Sequence, residues 1–446
     1  MEAKAESSTT GRVIEFARIA KATSRQLAVL STEQKNEALR TIARRVGERS
    51  VSILEANKKD LDRTHPLVES GELARPLYSR LKLDEEKLAG IIGGIEQVAR
   101  LEDPVGRLTL ATELDEGLRL YRVNCPIGVV GIIFESRPDA LAQISSLALK
   151  SGNAVLLKGG SEAEQTNRAL FSAIHDGAID AGVPPGVMAL LESREDVKEL
   201  LRAEGLVDLI VPRGSNALVR YIQENTRIPV LGHSEGICHV YVDRAAAIEK
   251  ALNITIDAKV SYPAVCNAVE TLLVHSEIAP RFLPLAAEAL KKNGVEVRCE
   301  RQAIQKFGIQ TAVEATSEDW SAEYCDLILA IKVVDSMDQA IEHINKYGSH
   351  HTDAIVTEDT AAFDRFFAEV DSAGVYLNAS TRFADGYRYG FGAEVGISTG
   401  KLHPRGPVGL DGLVTYKYKL VGDGHTVGAY SGPSGKKLNH RPLSAE

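Results

Sequence analysis

Residues 127–159, IGVVGIIFESRPDALAQISSLALKSGNAVLLKG, decide the fold class. Two short unbroken apolar runs, IGVVGIIFE and NAVLLKG, flank PDALAQISSLALKSG, whose apolar residues recur at helical spacing. Strands that are apolar at every position are buried on both faces, so strand, helix and strand in this order predict a parallel sheet with helices on both sides. The alternation continues through AEQTNRALFSAIHDGAIDAG, VMALLES, REDVKELLRAEG, VDLIVPRG and SNALVRYIQENTR. A second series begins near Ala245 with AAIEKALNITIDAKV and VETLLVH and ends in GVYLN. The expected fold is α/β with two doubly wound lobes.

Upstream, from Thr9 to about Arg100, VIEFARIAKAT, NEALRTIARRVGERSVSILEAN and KLAGIIGGIEQVARL predict helices, and Ser31 with Thr32 and Gln34 predicts an N-cap for the second. LTLATELDEGLRLYRVNCP and GLVTYKYKLVGDG have β character and belong to neither series. The second alternates Val414, Tyr416, Tyr418 and Leu420 against Thr415, Lys417 and Lys419. They form either an edge extension of one sheet or a protruding ribbon. A ribbon of two strands is marginal alone, so its apolar face would pack on another subunit. The domain boundaries read as 1–106 (helical part of the cofactor domain), 107–127 (first ribbon part), 128–244 (dinucleotide-binding domain), 245–406 (catalytic domain), 407–432 (second ribbon part) and 433–446 (flexible tail).

A net charge of −9 without a long Lys/Arg cluster speaks against a nucleic-acid partner. No run approaches the about 18 apolar residues of a membrane span, and MEAKAESSTTGRVIEF lacks a secretory apolar core. The five cysteines are odd in number and widely spaced, which suits a reducing compartment. Cytoplasm is the expected location. Adjacent His350 and His351 do not make a helical metal pair, and no metal is assigned.

Cys266 stands in SYPAVCNAVETLLVH, between a turn at Pro263 and a strand. Such a thiol is either an inert core residue or a rigidly held nucleophile. Cys238 and Cys325 adjoin or enter apolar strands and read as core. No G-x-G-x-x-G follows the first strand. Instead Gly214 and Ser215 link a strand to a helix whose free amides can face an anion, although such turns also occur without ligands. Lys158 ends a strand where open α/β sheets bind ligands, and either meets a ribose or its phosphate or lies along the surface.

Together, NCPIGVVGIIFESRP, AVLLKGGSEAEQTN, VPRGS, SYPAVCNA and GPVGLDGLVTYK resemble the aldehyde dehydrogenase superfamily. VDSMDQAIEHINKYGSHHTDAI and YLNASTRFADGYRYGFGAEVGISTGKLHPRGPVGLDGL are similar to the gamma-glutamyl phosphate reductase family within it. The resemblance implies an aldehyde dehydrogenase-like fold and NADPH-dependent reduction of L-glutamate 5-phosphate to L-glutamate 5-semialdehyde in proline biosynthesis, with a homo-oligomer and possible contact with glutamate 5-kinase. It places the nucleophile on Cys266. The cofactor would meet Lys158, Ser161, Gly214, Ser215 and Glu323. An oxyanion donor would come from the FESRP turn, with Ser136 assigned, and Arg137, Asn267 and Arg382 would meet the substrate unless the arginines serve structural ion pairs. Two departures from the aldehyde-oxidising relatives matter. Leu231 stands near their general-base Glu, with Glu235 out of register, which disfavours hydrolysis of a thioester. Ser161 replaces an acidic residue that binds ribose hydroxyls, which relieves repulsion of a 2′-phosphate and favours NADPH. The rival readings are a hydrolytic aldehyde dehydrogenase and a non-catalytic kinase-binding scaffold.

Overall fold

The computed structural model describes residues 11–444 except 74, 136, 233, 234, 310 and 311. Helices occupy 12–27, 32–48, 50–69, 75–81 and 85–100. Ser31 caps the second as expected. Its Oγ accepts from Gln34 N–H at 3.2 Å while Gln34 Oε1 accepts from Ser31 N–H at 2.8 Å, which satisfies two amide groups at the helix start. The helical pattern read through 36–57 is interrupted at Arg49 (φ −101°, ψ 13°). Periodicity does not register this kink because Val46 and Ile53, on either side of it, enter the same core.

A hairpin follows, β1 Leu108–Asp115 and β2 Leu118–Pro126, turning at Gly117 with φ +75°. Then come β3 Val129–Phe134, β4 Ala154–Lys158, β5 Met188–Leu191 and β6 Leu209–Arg213. They pair in parallel in the order β5-β4-β3-β6. Every residue of β3 and β4 is buried, as unbroken apolar runs require. The sheet reverses its winding between β3 and β6, and the crevice beyond the carboxyl ends of such a pair is where open α/β sheets receive ligands. There Glu135 N–H donates to Arg213 O at 3.0 Å.

The second sheet contains β7 Cys238–Val242, β8 Val269–His275, β9 Glu296–Cys299, β10 Val313–Glu314, β11 Ile328–Val334, β12 Thr352–Val356 and β13 Gly374–Leu377. Its order is β10-β9-β11-β8-β7-β12-β13, all parallel. The boundary expected at 244/245 therefore moves to the segment before β7. An apolar strand looks the same in either sheet, so the pattern of CHVYV could not assign it. One core joins the N-terminal helices to the first sheet, and two others lie against the second.

Beyond the short pair β14 Ile397–Ser398 and β15 Gly406–Pro407, β16 Val414–Val421 runs antiparallel to β2. Tyr416, Tyr418 and Leu420 on it are exposed. The tail, expected to be loose, contributes β17 Arg441–Pro442 to the other edge, making the ribbon a four-stranded sheet. Asn439 N–H and Leu443 N–H donate to Leu114 O and Ala111 O at 2.8 and 2.9 Å, and Arg441 pairs with the buried Glu113. Composition rich in Gly, Ser and Pro does not reveal pairing to an edge made elsewhere in the chain. Among the described residues no helix is long and apolar enough to cross a membrane.

Candidate active site

The helix Ile248–Val260 and β8 are joined by a turn that carries the half-buried Cys266. Two elements grip its backbone. On one side Gly236 approaches so closely that a Cβ there would lie 2.4 Å from Cys266 Cα, and the Cys238 thiol donates to Cys266 O at 3.3 Å. On the other, Thr381 Oγ1 donates to Asn267 O at 2.7 Å and Asn267 Nδ2 donates to Ala384 O at 2.9 Å. Orientation of this kind is what a nucleophile uses to gain rate. Cys238 is fully buried, as expected, and burial pushes its thiol well up. Cys299 is buried too, its thiol pushed up to about 12 by the same cause. Cys325, expected in the core, is instead exposed in a left-handed turn (φ 51°) ahead of β11. The apolar run that follows it begins the strand only at Ile328.

Arg382 and Asn267 were expected to face substrate. They face each other: the Arg382 guanidinium donates to Asn267 Oδ1, and its Nε donates to Ser261 Oγ at 3.0 Å. Arg382 is only 9% exposed, and burial lowers its pKa, with Arg388 acting in the same direction. The pair braces both ends of the nucleophile turn, a contact across 115 residues that local reading does not supply. Arg137 lines an adjoining cavity. Ser136 lies outside the described residues. Leu231 is in the core, and Glu235 pairs with Arg220.

Arg213, in VPRGS, was missed by sequence reasoning. Its Nη1 is buried with no hydrogen-bond partner. Burial lowers its pKa, Arg137 adds to that, and a Cys266 thiolate is among the charges opposing it. A guanidinium at the carboxyl end of β6 with Nη1 short of a partner fits an anion in the crevice. The VPRGS segment was read only for the Gly214–Ser215 turn that follows Arg213, although Arg213 ends its strand as Lys158 does.

On the nucleotide side, Lys158 is buried at the carboxyl end of β4, and its Nζ donates to Gly159 O. Burial lowers its pKa, with Glu162 opposing. Ser161 opens a short 3-10 turn over 161–163. Arg63, missed because it lies in the helical preamble, donates from Nη2 to Ser161 O at 2.7 Å and Asp60 Oδ1 at 2.9 Å. The fully buried Asp60 also holds Thr166, by N–H at 2.8 Å and Oγ1 at 2.7 Å. Gly214 and Ser215 stand before the helix Asn216–Asn225. The expectation of free amides needs correction there: Ser215 N–H donates to Glu135 Oε2 at 2.7 Å, and the Ser215 side chain makes no cap bond. The turn does accept an anion, but here the anion is a carboxylate of the chain itself. Glu323 accepts from Asn216 Nδ2 at 3.0 Å, which links the two lobes at the crevice. A cation ending β4 and a carboxylate from the facing lobe fit a dinucleotide laid across the switch point, while the turn after β6 is held by Glu135.

The sequence model of the aldehyde dehydrogenase family matches residues 2–304. Gamma-glutamyl phosphate reductase of Synechococcus sp. (strain JA-3-3Ab) is 57% identical over 99% of this chain and 96% of that protein. That of Cyanothece sp. (strain PCC 7425 / ATCC 29141) is 56% identical over 98% and 99%. This chain belongs to the gamma-glutamyl phosphate reductases, within the aldehyde dehydrogenase family. The crystal structure of the reductase from Thermotoga maritima is 42% identical, covers 93% of this chain and 99% of its own, and superposes with a TM-score of 0.89. An acetylating aldehyde dehydrogenase from Geobacillus thermoglucosidasius, 18% identical over 93% of this chain and 97% of its own, shares the fold with a TM-score of 0.65. The segment that looked like a plain α/β alternation is thus part of an aldehyde dehydrogenase-like fold.

Proposed function

We propose that this chain reduces L-glutamate 5-phosphate to L-glutamate 5-semialdehyde with NADPH, releasing phosphate, as a step of proline biosynthesis. The observation that supports this most is the rigid turn that holds Cys266, gripped by Gly236 and Cys238 on one side and by Thr381, Asn267 and Arg382 on the other. Cys266 Sγ, as thiolate, attacks the acyl carbon. The carbon–oxygen bond to phosphate breaks, phosphate departs with the electron pair, and a thioester remains on the sulfur. Arg213 opposes the charge that gathers as this bond breaks. Bound NADPH supplies the hydride that reduces the acyl group. The sulfur then leaves as the aldehyde carbonyl forms, and Arg382 with Asn267 keeps the turn in place throughout. Leu231 in the core and Glu235 held by Arg220 leave neither as a base for water, so the thioester persists for reduction.

The test is the reverse reaction. NADP-linked oxidation of glutamate 5-semialdehyde should require inorganic phosphate, and equal turnover without phosphate would mean a hydrolytic dehydrogenase. Arg213→Met is expected to lower kcat on the order of 100-fold, the scale of losing one preorganised charge donor, with little change in melting temperature. A KM effect alone would assign Arg213 to binding.

For the cofactor, Ser161 adds no carboxylate at its own position, and Lys158 and Arg63 supply two cations beside it. Glu162 lies near Lys158 and works against them, so Arg63 is given the 2′-phosphate. Arg63→Ala should raise the KM for NADPH about tenfold, the value of one charge-assisted contact, and leave that for NADH within twofold. Equal changes for both cofactors would remove this assignment.

A further inference from the structure

A cavity of about 460 Å³ opens between the helices 75–81 and 85–100, the start of the helix Pro138–Lys150 and the segment around Tyr387. Its charged lining is uneven: Arg80, Lys82, Lys87 and Arg137 against Asp139. Lys87 is engaged, its Nζ donating to Lys82 O at 2.7 Å, and Lys82 Nζ lies 5.2 Å from the Tyr78 ring centroid. Arg80 differs. Its Nη2 donates to Ala264 O at 3.4 Å, two residues before Cys266, while its Nε is buried with no partner. Arg80 is thus a cation that lines the cavity, touches the nucleophile turn and has no carboxylate paired to it among the described residues. Asp139 occupies the second position of its helix and is exposed toward the cavity.

Resting on the reductase reading above, we propose that this cavity receives the amino-acid end of the substrate, with Arg80 binding the α-carboxylate and Asp139 the α-ammonium. The reacting carbon is three bonds from the α-carbon, so a substrate acylating Cys266 must place its zwitterionic end in space adjoining the turn. Arg80 borders both. The planar fork of Arg80 suits a carboxylate, and a lone carboxylate among cations suits an ammonium that the cations would repel. The cavity thereby selects amino-acid semialdehydes over simple aliphatic aldehydes. The bland alternatives are that Arg80 only braces Ala264 and that Asp139 only complements the helix dipole.

The full chain is assayed in the phosphate- and NADP-dependent direction on three aldehydes: glutamate 5-semialdehyde, 5-oxopentanoate, which lacks the amine, and 4-aminobutanal, which lacks the carboxylate. Arg80→Met should lower kcat/KM roughly 10- to 100-fold for the two carboxylate-bearing aldehydes, and change it less than threefold for 4-aminobutanal. Asp139→Asn should show the complementary pattern, with losses on the two amines and less than a threefold change on 5-oxopentanoate. Equal losses on all three aldehydes, or none, would overturn the assignment for that residue. Should Arg80→Met melt early, Arg80→Gln, which keeps a donor for Ala264 O, carries the same comparison. A wild type with no phosphate-dependent turnover of glutamate 5-semialdehyde would instead remove the reductase reading, and this proposal with it. A selective wild type whose selectivity the variants leave unchanged removes this proposal alone.

Discussion

Cys266→Ala is expected to abolish phosphate-dependent oxidation of glutamate 5-semialdehyde, a loss on the order of 10⁴-fold or more, because no thioester can form without the sulfur. The same variant should melt within a few degrees of wild type. Cys266 is half-buried, its side chain is small, and the turn is held by backbone and by Arg382, Asn267 and Thr381 instead. NADPH binding by calorimetry should also persist, since the proposed cofactor contacts Lys158, Arg63 and Glu323 are untouched. Trapping the acylated enzyme and sequencing the modified peptide by mass spectrometry gives an independent reading. An adduct on Cys238, or turnover that survives in the alanine variant, would end the mechanism. Cys238 is the informative comparison because it lies against the same turn. It is fully buried, its thiol donates to Cys266 O, and burial holds it protonated. Position and exposure, not proximity, separate the two thiols.

The two lobes were legible because unbroken apolar strands and amphipathic helices are local patterns, and the helix start at Ser31 was legible because its cap closes within three residues. The turn that carries Cys266 was legible through Pro263, which bends the chain before it, and the nucleophile proposed there comes from the family resemblance. What escaped was made by contacts between distant segments. Arg382 and Asn267 were read as substrate ligands, and their meeting across the turn is a contact that no local pattern shows. Glu135 meets Ser215 across 80 residues, and no local pattern announces that the amide expected to face an anion already has one. Arg63 and Arg80 were hidden for the same reason. Both sit on helices whose mixed surface charges read as ordinary solvation, and only their contacts with Ser161 and Ala264 bring them to the candidate site. β7 and β17 show the limit for strands: pattern identifies a strand, and its sheet is chosen by partners elsewhere.

Lys259→Met should destabilise the chain by about 3–5 kcal/mol at pH 8, the scale for removing one partner of a buried ion pair. Lys259 lies in the last turn of the helix before the nucleophile turn, and Glu270 is the second residue of the strand after it. Both side chains are essentially inaccessible, with Nζ and Oε2 2.6 Å apart. Glu270 Oε1 also accepts from Cys325 N–H at 3.4 Å, so the pair ties three segments behind Cys266. Burial pushes the Glu270 carboxyl up to about 7, with Lys259 opposing that shift. Taking Lys259 away removes the opposition, so the folded-state value rises further above that of the unfolded chain. A raised carboxyl pKa leaves stability intact below the unfolded value and withdraws it as pH climbs through the folded one. The deficit of Lys259→Met against wild type should therefore widen from pH 5 to pH 8, measured by chemical denaturation at each pH. A deficit equal at both would mean lost packing and not an unpaired carboxylate. Replacing both partners, Lys259→Met with Glu270→Leu, removes the buried charge altogether and should recover most of the stability. A double variant as unstable as the single one would show that the shape of the pair, and not its charge, holds the turn.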